Sequence, residues 1–143
     1  MYIREKIYAF VADGFAGLKI IEVSNPKNSV LVGSIDTDGS ANSVTTIEIR
    51  EKIYALVANS FAGLKIIEVT DPSNPVLAGS KDTYGEARGV STLINREKIY
   101  ALVADGFAGL KIIEVSNPKN SVLVGSIDTD GSANSVTTIE IEE

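Results

Sequence analysis

The chain has no cysteine and no histidine among its 143 residues. Without cysteine it has neither a disulfide framework nor a thiolate metal site, and every redox compartment stays open. Without histidine it lacks the commonest general base and the commonest transition-metal ligand. A Ser-His-Asp or Cys-His catalytic centre is therefore excluded, and we expect no cofactor.

Basic charge and long apolar runs are also scarce. The formal net charge of −6 argues against nucleic acid or an anionic membrane as a partner, because both select for basic patches. No apolar run approaches the roughly 20 residues of a membrane span. The first ten residues, MYIREKIYAF, lack the apolar region and cleavage site of a signal peptide. We therefore expect an acidic protein with no nucleic-acid and no membrane partner.

An internal repeat organises the whole chain. The string REKIYA starts at Arg4, Arg50 and Arg96, which defines the units 4–49, 50–95 and 96–141. Units one and three differ at a single position, where Phe10 stands against Leu102. So close a match indicates a recent duplication or an engineered origin, because fold alone does not require identical residues.

Each unit contains four short segments rich in β-branched and apolar residues, separated by turn signals such as Asp13-Gly14 and Asn25-Pro26. The middle segments, for example KIYALVA at 52–58, are almost continuously apolar, which is typical of strands covered on both faces. Tandem four-stranded antiparallel sheets covered on both faces predict an all-β fold, a β-propeller with three blades per chain.

The stretch YALVADGFAGLKIIEVSNPKNSVLVGSIDT resembles the LVIVD-repeat family of β-propeller proteins. The resemblance covers essentially the whole chain three times, although Glu22, Glu68 and Glu114 stand where the family usually has aspartate. In unit one the matching positions are Val11, Ala12, Asp13, Gly14, Gly17, Leu18, Ile20, Ile21, Val23, Pro26, Leu31, Gly33, Asp36, Thr37 and Gly39. The resemblance implies a propeller often found in secreted or cell-surface proteins, and it implies no known chemistry; the localisation of this chain is left unknown.

The repeat is out of phase with the predicted blades. If 87–95 is the innermost strand of a blade, its copies are 41–49 and 133–141, and only residues 1–3 precede unit one. The first blade is therefore expected to lack its inner strand. Segment 133–141 is expected to be a spare one, the ring-closing strand.

Three blades do not close a ring. Propellers have about four to eight blades, and three would require turns of about 120° between sheets, more than packed twisted sheets tolerate. We therefore expect a homodimer in which two chains exchange their spare strands and complete a six-bladed ring. A trimer with nine blades is the less favoured variant.

The sequence DTDGSANS at 36–43 resembles the start of a calcium loop and returns at 128–135. The candidate Ca²⁺ ligands are Asp36, Asp38 and Ser40, with their copies Asp128, Asp130 and Ser132. The favoured interpretation is an ordinary β-turn with Asp and Gly in turn roles, so we expect no bound metal. The loop lacks a downstream bidentate glutamate, and unit two has Tyr84 at the second aspartate position.

Phe15, Phe61 and Phe107 occupy the same position in the three units. If exposed, they would form an aromatic rim for a peptide, glycan or protein partner. The interpretation that we favour is that each one packs into or between the blades, because aromatic side chains are mostly buried where burial is available.

Two classes of function remain open. The favoured one is a non-catalytic, self-assembling propeller scaffold or binding module. The alternative is a propeller-type hydrolase or lyase that uses carboxylates at the channel, or a Ca²⁺-binding surface protein. The uniform units favour the first class, because a catalytic site usually breaks the symmetry of a repeat.

Overall fold

The computed structural model describes residues 5–142 and is all-β. Its only helical elements in that range are the short 3-10 helices Pro26–Asn28 and Pro118–Asn120, and the described part contains no helix long and apolar enough to cross a membrane. The strands are β1 Tyr8–Ala12, β2 Leu18–Glu22, β3 Val30–Ile35, β4 Ser43–Ile49, β5 Lys52–Ala58, β6 Leu64–Glu68, β7 Val76–Lys81, β8 Gly89–Asn95, β9 Lys98–Ala104, β10 Leu110–Glu114 and β11 Val122–Ile127.

The strands form three antiparallel sheets. Their orders are β1-β2-β3, β4-β5-β6-β7 and β8-β9-β10-β11. The second and third sheets have the four-stranded pattern predicted from the repeat. Strand β5 falls on the predicted residues 52–58, and β8 covers 89–95 of the predicted inner strand 87–95. This arrangement is that of a three-blade, propeller-like chain.

Two-residue turns join the inner hairpins β4–β5 and β8–β9. Ile49 pairs with Lys52, which leaves Arg50 and Glu51 as the turn, and both have positive φ (52° and 70°). Positive φ at both central residues defines a type I′ turn, which matches the right-handed twist of the strands. The charged REK string thus marks a hairpin in the second and third sheets.

The hydrophobic core lies between the sheets. One cluster joins Leu18 and Ile20 of the first sheet to Val57 and Ile67 of the second. The other joins Leu56, Leu64 and Ile66, on the opposite face of the second sheet, to Val103, Ile113 and Val115 of the third. The second sheet is therefore buried on both faces, because successive residues of a strand point to opposite sides.

The first sheet has three strands in the described residues, and β1 pairs with β2 alone. The prediction that residues 1–3 align with the end of a missing inner strand lies outside the described residues. At the other end, Ala133 forms an isolated bridge with Gly106, and residues 134–142 have no strand partner within the described chain. We call residues 134–142 the C-terminal segment.

Candidate functional site

The candidate site consists of the two ends of the sheet stack. Its geometry follows from the two interfaces between sheets that the chain completes by itself. In each of these interfaces a threonine from the outer connection of one sheet meets an amide or carboxyl group of the next sheet. Thr37 Oγ1 donates to Asn59 Oδ1 at 2.9 Å, and Thr83 Oγ1 donates to Asp105 Oδ1 at 2.6 Å. All four residues are buried.

Asp105 is the charged member of these pairs. Burial raises the pKa of its carboxyl above the usual range, while the hydrogen bond from Thr83 and the nearby Lys111 act to lower it. Lys111 Nζ lies 3.6 Å from Asp105 Oδ2, and that oxygen has no hydrogen-bond donor. The carboxyl is therefore difficult to ionise at this position.

Close backbone approach is the second feature that both interfaces share. A methyl group at Gly33 would collide with the carbonyl oxygen of Pro72 in the second sheet, and one at Gly79 would collide with that of Pro118 in the third. Gly125 is the third copy, and a methyl group there would meet only Ile112 of its own sheet, at 3.5 Å or more. The outer strand β11 therefore leaves space beside Gly125 in which the proline turn of a further sheet would fit.

Both ends of the stack expose residues that are buried elsewhere in the chain. Val57 and Val103 are completely buried, whereas their copy Val11 is 36% exposed. Asp13 is exposed, although its copies Asn59 and Asp105 are buried, and Thr129 is exposed, although Thr37 and Thr83 are buried. Each end of the stack thus presents one half of an interface that the interior completes twice.

The C-terminal segment is held at its start in the same way as the inner strands. Gly106 N donates to Ala133 O at 3.0 Å and Ala133 N donates to Gly106 O at 2.9 Å. Gly14 with Ala41, and Ser60 with Ala87, form the same bridge ahead of β4 and β8. A methyl group at Gly89 of β8 would lie 2.8 Å from Asn134 O, and residues 138–140 lie across a cleft from the end of β8. The segment therefore runs beside β8 where a further inner strand belongs.

The three phenylalanines are exposed on turns. Phe15, Phe61 and Phe107 are 86%, 77% and 81% exposed, so the interpretation favoured from the sequence, packing into or between the blades, is wrong for the single chain. The turns are held by their own backbone, as in Asp13 N to Gly17 O at 2.8 Å. A cleft of about 420 Å³ between Phe15 and Phe61 is also lined by Asp38, Ser40 and Glu86.

The candidate calcium loops have the geometry of turns. Asp36 Oδ1 accepts a hydrogen bond from Asp38 N at 2.9 Å, and Asp128 Oδ1 accepts one from Asp130 N at 2.9 Å. Asp82 makes the same contact with Tyr84 N at 2.8 Å, in the unit that lacks the second aspartate. Within residues 5–142 no group of three acidic side chains is placed to hold a metal ion. Calcium binding by Asp36, Asp38, Ser40, Asp128, Asp130 and Ser132 stays the less favoured interpretation.

Unit two contributes an ion pair of its own. Arg88 donates through Nη2 to Glu86 Oε1 at 2.6 Å, and its Nη1 reaches Ser132 Oγ at 2.8 Å and Asn134 Oδ1 at 2.6 Å. These contacts fix the start of the C-terminal segment against the entry to β8. No motif in the sequence indicates this role, because Ser132 and Asn134 lie 44 and 46 residues away from Arg88.

The inter-sheet pairs were also missed from the sequence. Thr37 and Asn59 lie 22 residues apart and on different sheets, so neither periodicity nor a local motif connects them. The available signal was that threonine at 37, 83 and 129 does not change between units, while half of the loop DTYGEARG does.

The family model of the LVIVD repeat matches the chain three times, at residues 6–37, 38–83 and 85–129. Each match lies within one sheet and its connection to the next. A search of the curated proteins found no match.

Proposed function

Because the chain belongs to the LVIVD-repeat family, we propose that it is a non-catalytic, self-assembling propeller module in which two copies complete a six-bladed ring. Each copy supplies its C-terminal segment as the inner strand of the other's first sheet. The proposal assigns no catalytic step to the chain. The observation that carries it is the pair of half-interfaces at the two ends of the stack.

The edges of the two ends match in register. In the second sheet Ser43 pairs with Ala58 and Ile49 with Lys52, and in the third Gly89 pairs with Ala104 and Asn95 with Lys98. The same register sets Ser135 opposite Ala12 and Ile141 opposite Lys6 of the second copy. This pairing would satisfy the backbone groups of β1, which otherwise form an open strand edge.

The exposed faces also match. The face of the first sheet with Val11, Ile21 and Val23 corresponds to the face of the second sheet that packs on its neighbour. The face of the third sheet with Leu110 and Ile112 corresponds to the opposite face of the second sheet, which packs on the third. Stacking the two faces would bury apolar surface, and each Å² buried stabilises the interface by about 25 cal/mol. A ring of six blades also lies within the usual range of propellers.

The test is the mass of the 143-residue chain in solution at micromolar concentration, by sedimentation equilibrium. The expected mass is about twice 15.2 kDa. A variant ending at Asn134 is expected to be a monomer with an unchanged β-sheet circular dichroism spectrum. A control that lacks only Glu142 and Glu143 is expected to remain a dimer. A monomeric full chain would overturn the proposal, and a trimer would overturn the six-bladed ring.

The rim supports a second candidate function, the binding of a neutral glycan. The favouring observation is the cleft between Phe15 and Phe61, which combines exposed aromatic faces with the hydroxyl of Ser40 and the carboxylate of Asp38. A pyranose ring offers an apolar C–H face for the aromatic groups and hydroxyls for the polar ones, and such mixed linings are typical of ligand sites. The test is a glycan array with the wild type and a variant in which all three phenylalanines are replaced by serine. Equal signals from the two proteins would overturn this candidate.

A further inference from the structure

The two completed interfaces offer two chemical versions of one buried pair. In the first, Thr37 meets the neutral amide of Asn59, whose Nδ2 also donates to Thr37 O at 2.5 Å. In the second, Thr83 meets the carboxyl of Asp105. The third set of positions is Thr129 and Asp13, which lie exposed at opposite ends of the stack.

We infer that Thr129 of one copy donates its hydroxyl to the carboxyl of Asp13 of the second copy, and that ionised Asp13 opposes closure of the ring. This inference rests on the proposed function, because the two residues meet only if the ends of two copies join. It adds to that function the residue pair that determines how tightly the copies associate.

The groups that would face Asp13 follow from those around Asp105. Besides Thr83, these are Lys111 of its own sheet and Asp82 of the preceding connection. Their copies are Lys19 on the same chain as Asp13 and Asp128 on the other copy. Lys19 Nζ now donates to Ala16 O at 2.7 Å and Ser34 Oγ at 2.8 Å, so it stands beside the site.

One further charge distinguishes the new interface from that of Asp105. Unit three has Asp130 at the repeat position of Tyr84, and Ser132 and Asn134 at those of Glu86 and Arg88. The interface between copies thus gains a carboxylate and loses the ion pair. A second carboxylate nearby disfavours a charge on a buried one, so Asp130 would add to the cost of burying a charged Asp13 at the junction.

The direction of the pH effect follows from this burial. A carboxyl whose pKa is higher in the dimer than in the free chain binds more protons in the dimer. Association is therefore strongest below the ordinary carboxyl range and weakens as the pH rises through the raised pKa. The ring contains two such sites, one at each junction.

The experiment measures the dimer dissociation constant by sedimentation between pH 4 and pH 8 for the full-length wild type and for Asp13→Asn. The variant recreates the Thr–Asn pair of the first interface, so it is expected to associate about tenfold more tightly at pH 7, with little dependence on pH. The control is Asp71→Asn, at an exposed turn position where units one and three already have Asn25 and Asn117. It is expected to behave as the wild type.

Thr129→Val is a second, independent test of the pair that Thr129 and Asp13 are proposed to form. Loss of the hydroxyl is expected to weaken association in the wild type and in Asp13→Asn, with circular dichroism unchanged because Thr129 is exposed in the single chain. A dimer whose affinity is the same in the wild type and Asp13→Asn at every pH would overturn this inference and leave the proposed function standing. A wild-type monomer at every pH would overturn the proposed function itself.

Discussion

Thr83 Oγ1 donates a hydrogen bond to Asp105 Oδ1 at 2.6 Å across two sheets, and both side chains are completely buried. The pair joins the connection that leaves the second sheet to the turn between β9 and β10 of the third. Its copies, Thr37 with Asn59 in the chain and Thr129 with Asp13 at its two ends, connect the packing of the sheets to the proposed assembly.

Asp105→Asn is expected to stabilise the chain at pH 7. Burial raises the pKa of the Asp105 carboxyl from 3.8, so ionisation opposes folding as the pH rises through the raised pKa. The contribution of Asp105 to the unfolding free energy should therefore be greatest below the ordinary carboxyl range, and the variant should lose this part of the pH dependence. Urea unfolding between pH 4 and pH 7, with Asp71→Asn as the control, measures the effect. A variant less stable than the wild type at pH 7 would contradict it.

Two introduced cysteines should link the copies covalently. Ala55 pairs with Thr46 and Ala101 with Thr92, so Ala9 is expected opposite Thr138 of the second copy. Since the chain has no cysteine of its own, Ala9→Cys with Thr138→Cys should give a disulfide-linked dimer on a non-reducing gel.

The matched control for this cross-link is Ala9→Cys with Thr137→Cys. A shift of one residue turns the second side chain to the opposite face of the sheet, so this pair is expected to stay unlinked. Equal cross-linking in the two variants, or none in either, would show that the register is not the one proposed.

Gly125→Ala is expected to weaken association at least tenfold while it changes the unfolding free energy of the free chain by less than about 0.5 kcal/mol. The added methyl group has space within the chain but would meet the carbonyl oxygen of Pro26 in the second copy, as Gly33 and Gly79 meet Pro72 and Pro118. Sedimentation and urea unfolding measure the two effects. Gly79→Ala is the control, since it should destabilise the folded chain itself.

Arg50→Asn with Glu51→Gly is expected to raise the unfolding free energy by about 1 kcal/mol. Both residues have positive φ in a type I′ turn, a conformation that Asn-Gly adopts with little strain. Urea unfolding measures the gain. Glu51→Ala retains the strain of positive φ, so no gain in unfolding free energy is expected for this control. An equal gain in the control would contradict the explanation.

Replacement of Phe61 by serine is expected to leave the unfolding free energy within about 0.5 kcal/mol of the wild type. The side chain is 77% exposed, and the turn that carries it is held by backbone hydrogen bonds such as Asn59 N to Gly63 O at 2.8 Å. Ile66→Ala, at a completely buried position of the same sheet, should cost about 2–5 kcal/mol. Similar losses in the two variants would indicate that Phe61 contributes to the core.

Local patterns predicted the strands well. The apolar run KIYALVA is a strand at the predicted residues 52–58, because β-branched and apolar side chains covered on both faces leave little choice of structure. Residues 89–95 of the predicted inner strand 87–95 form β8. The exposure of the phenylalanines was not decidable from composition, since it depends on where the turn points. The Thr–Asn and Thr–Asp pairs depend on how one sheet stacks on the next, which a single repeat does not encode.

The offset between the 46-residue unit and the sheet has a consequence for chains of other lengths. Each unit ends with the inner strand of the following sheet, as β4 ends unit one and β8 ends unit two. Addition or removal of a whole unit therefore leaves the same acceptor edge at the front and the same donor strand at the back. A single chain of six such units would carry both partners of the last junction and would close on itself, so that ring formation would no longer depend on protein concentration.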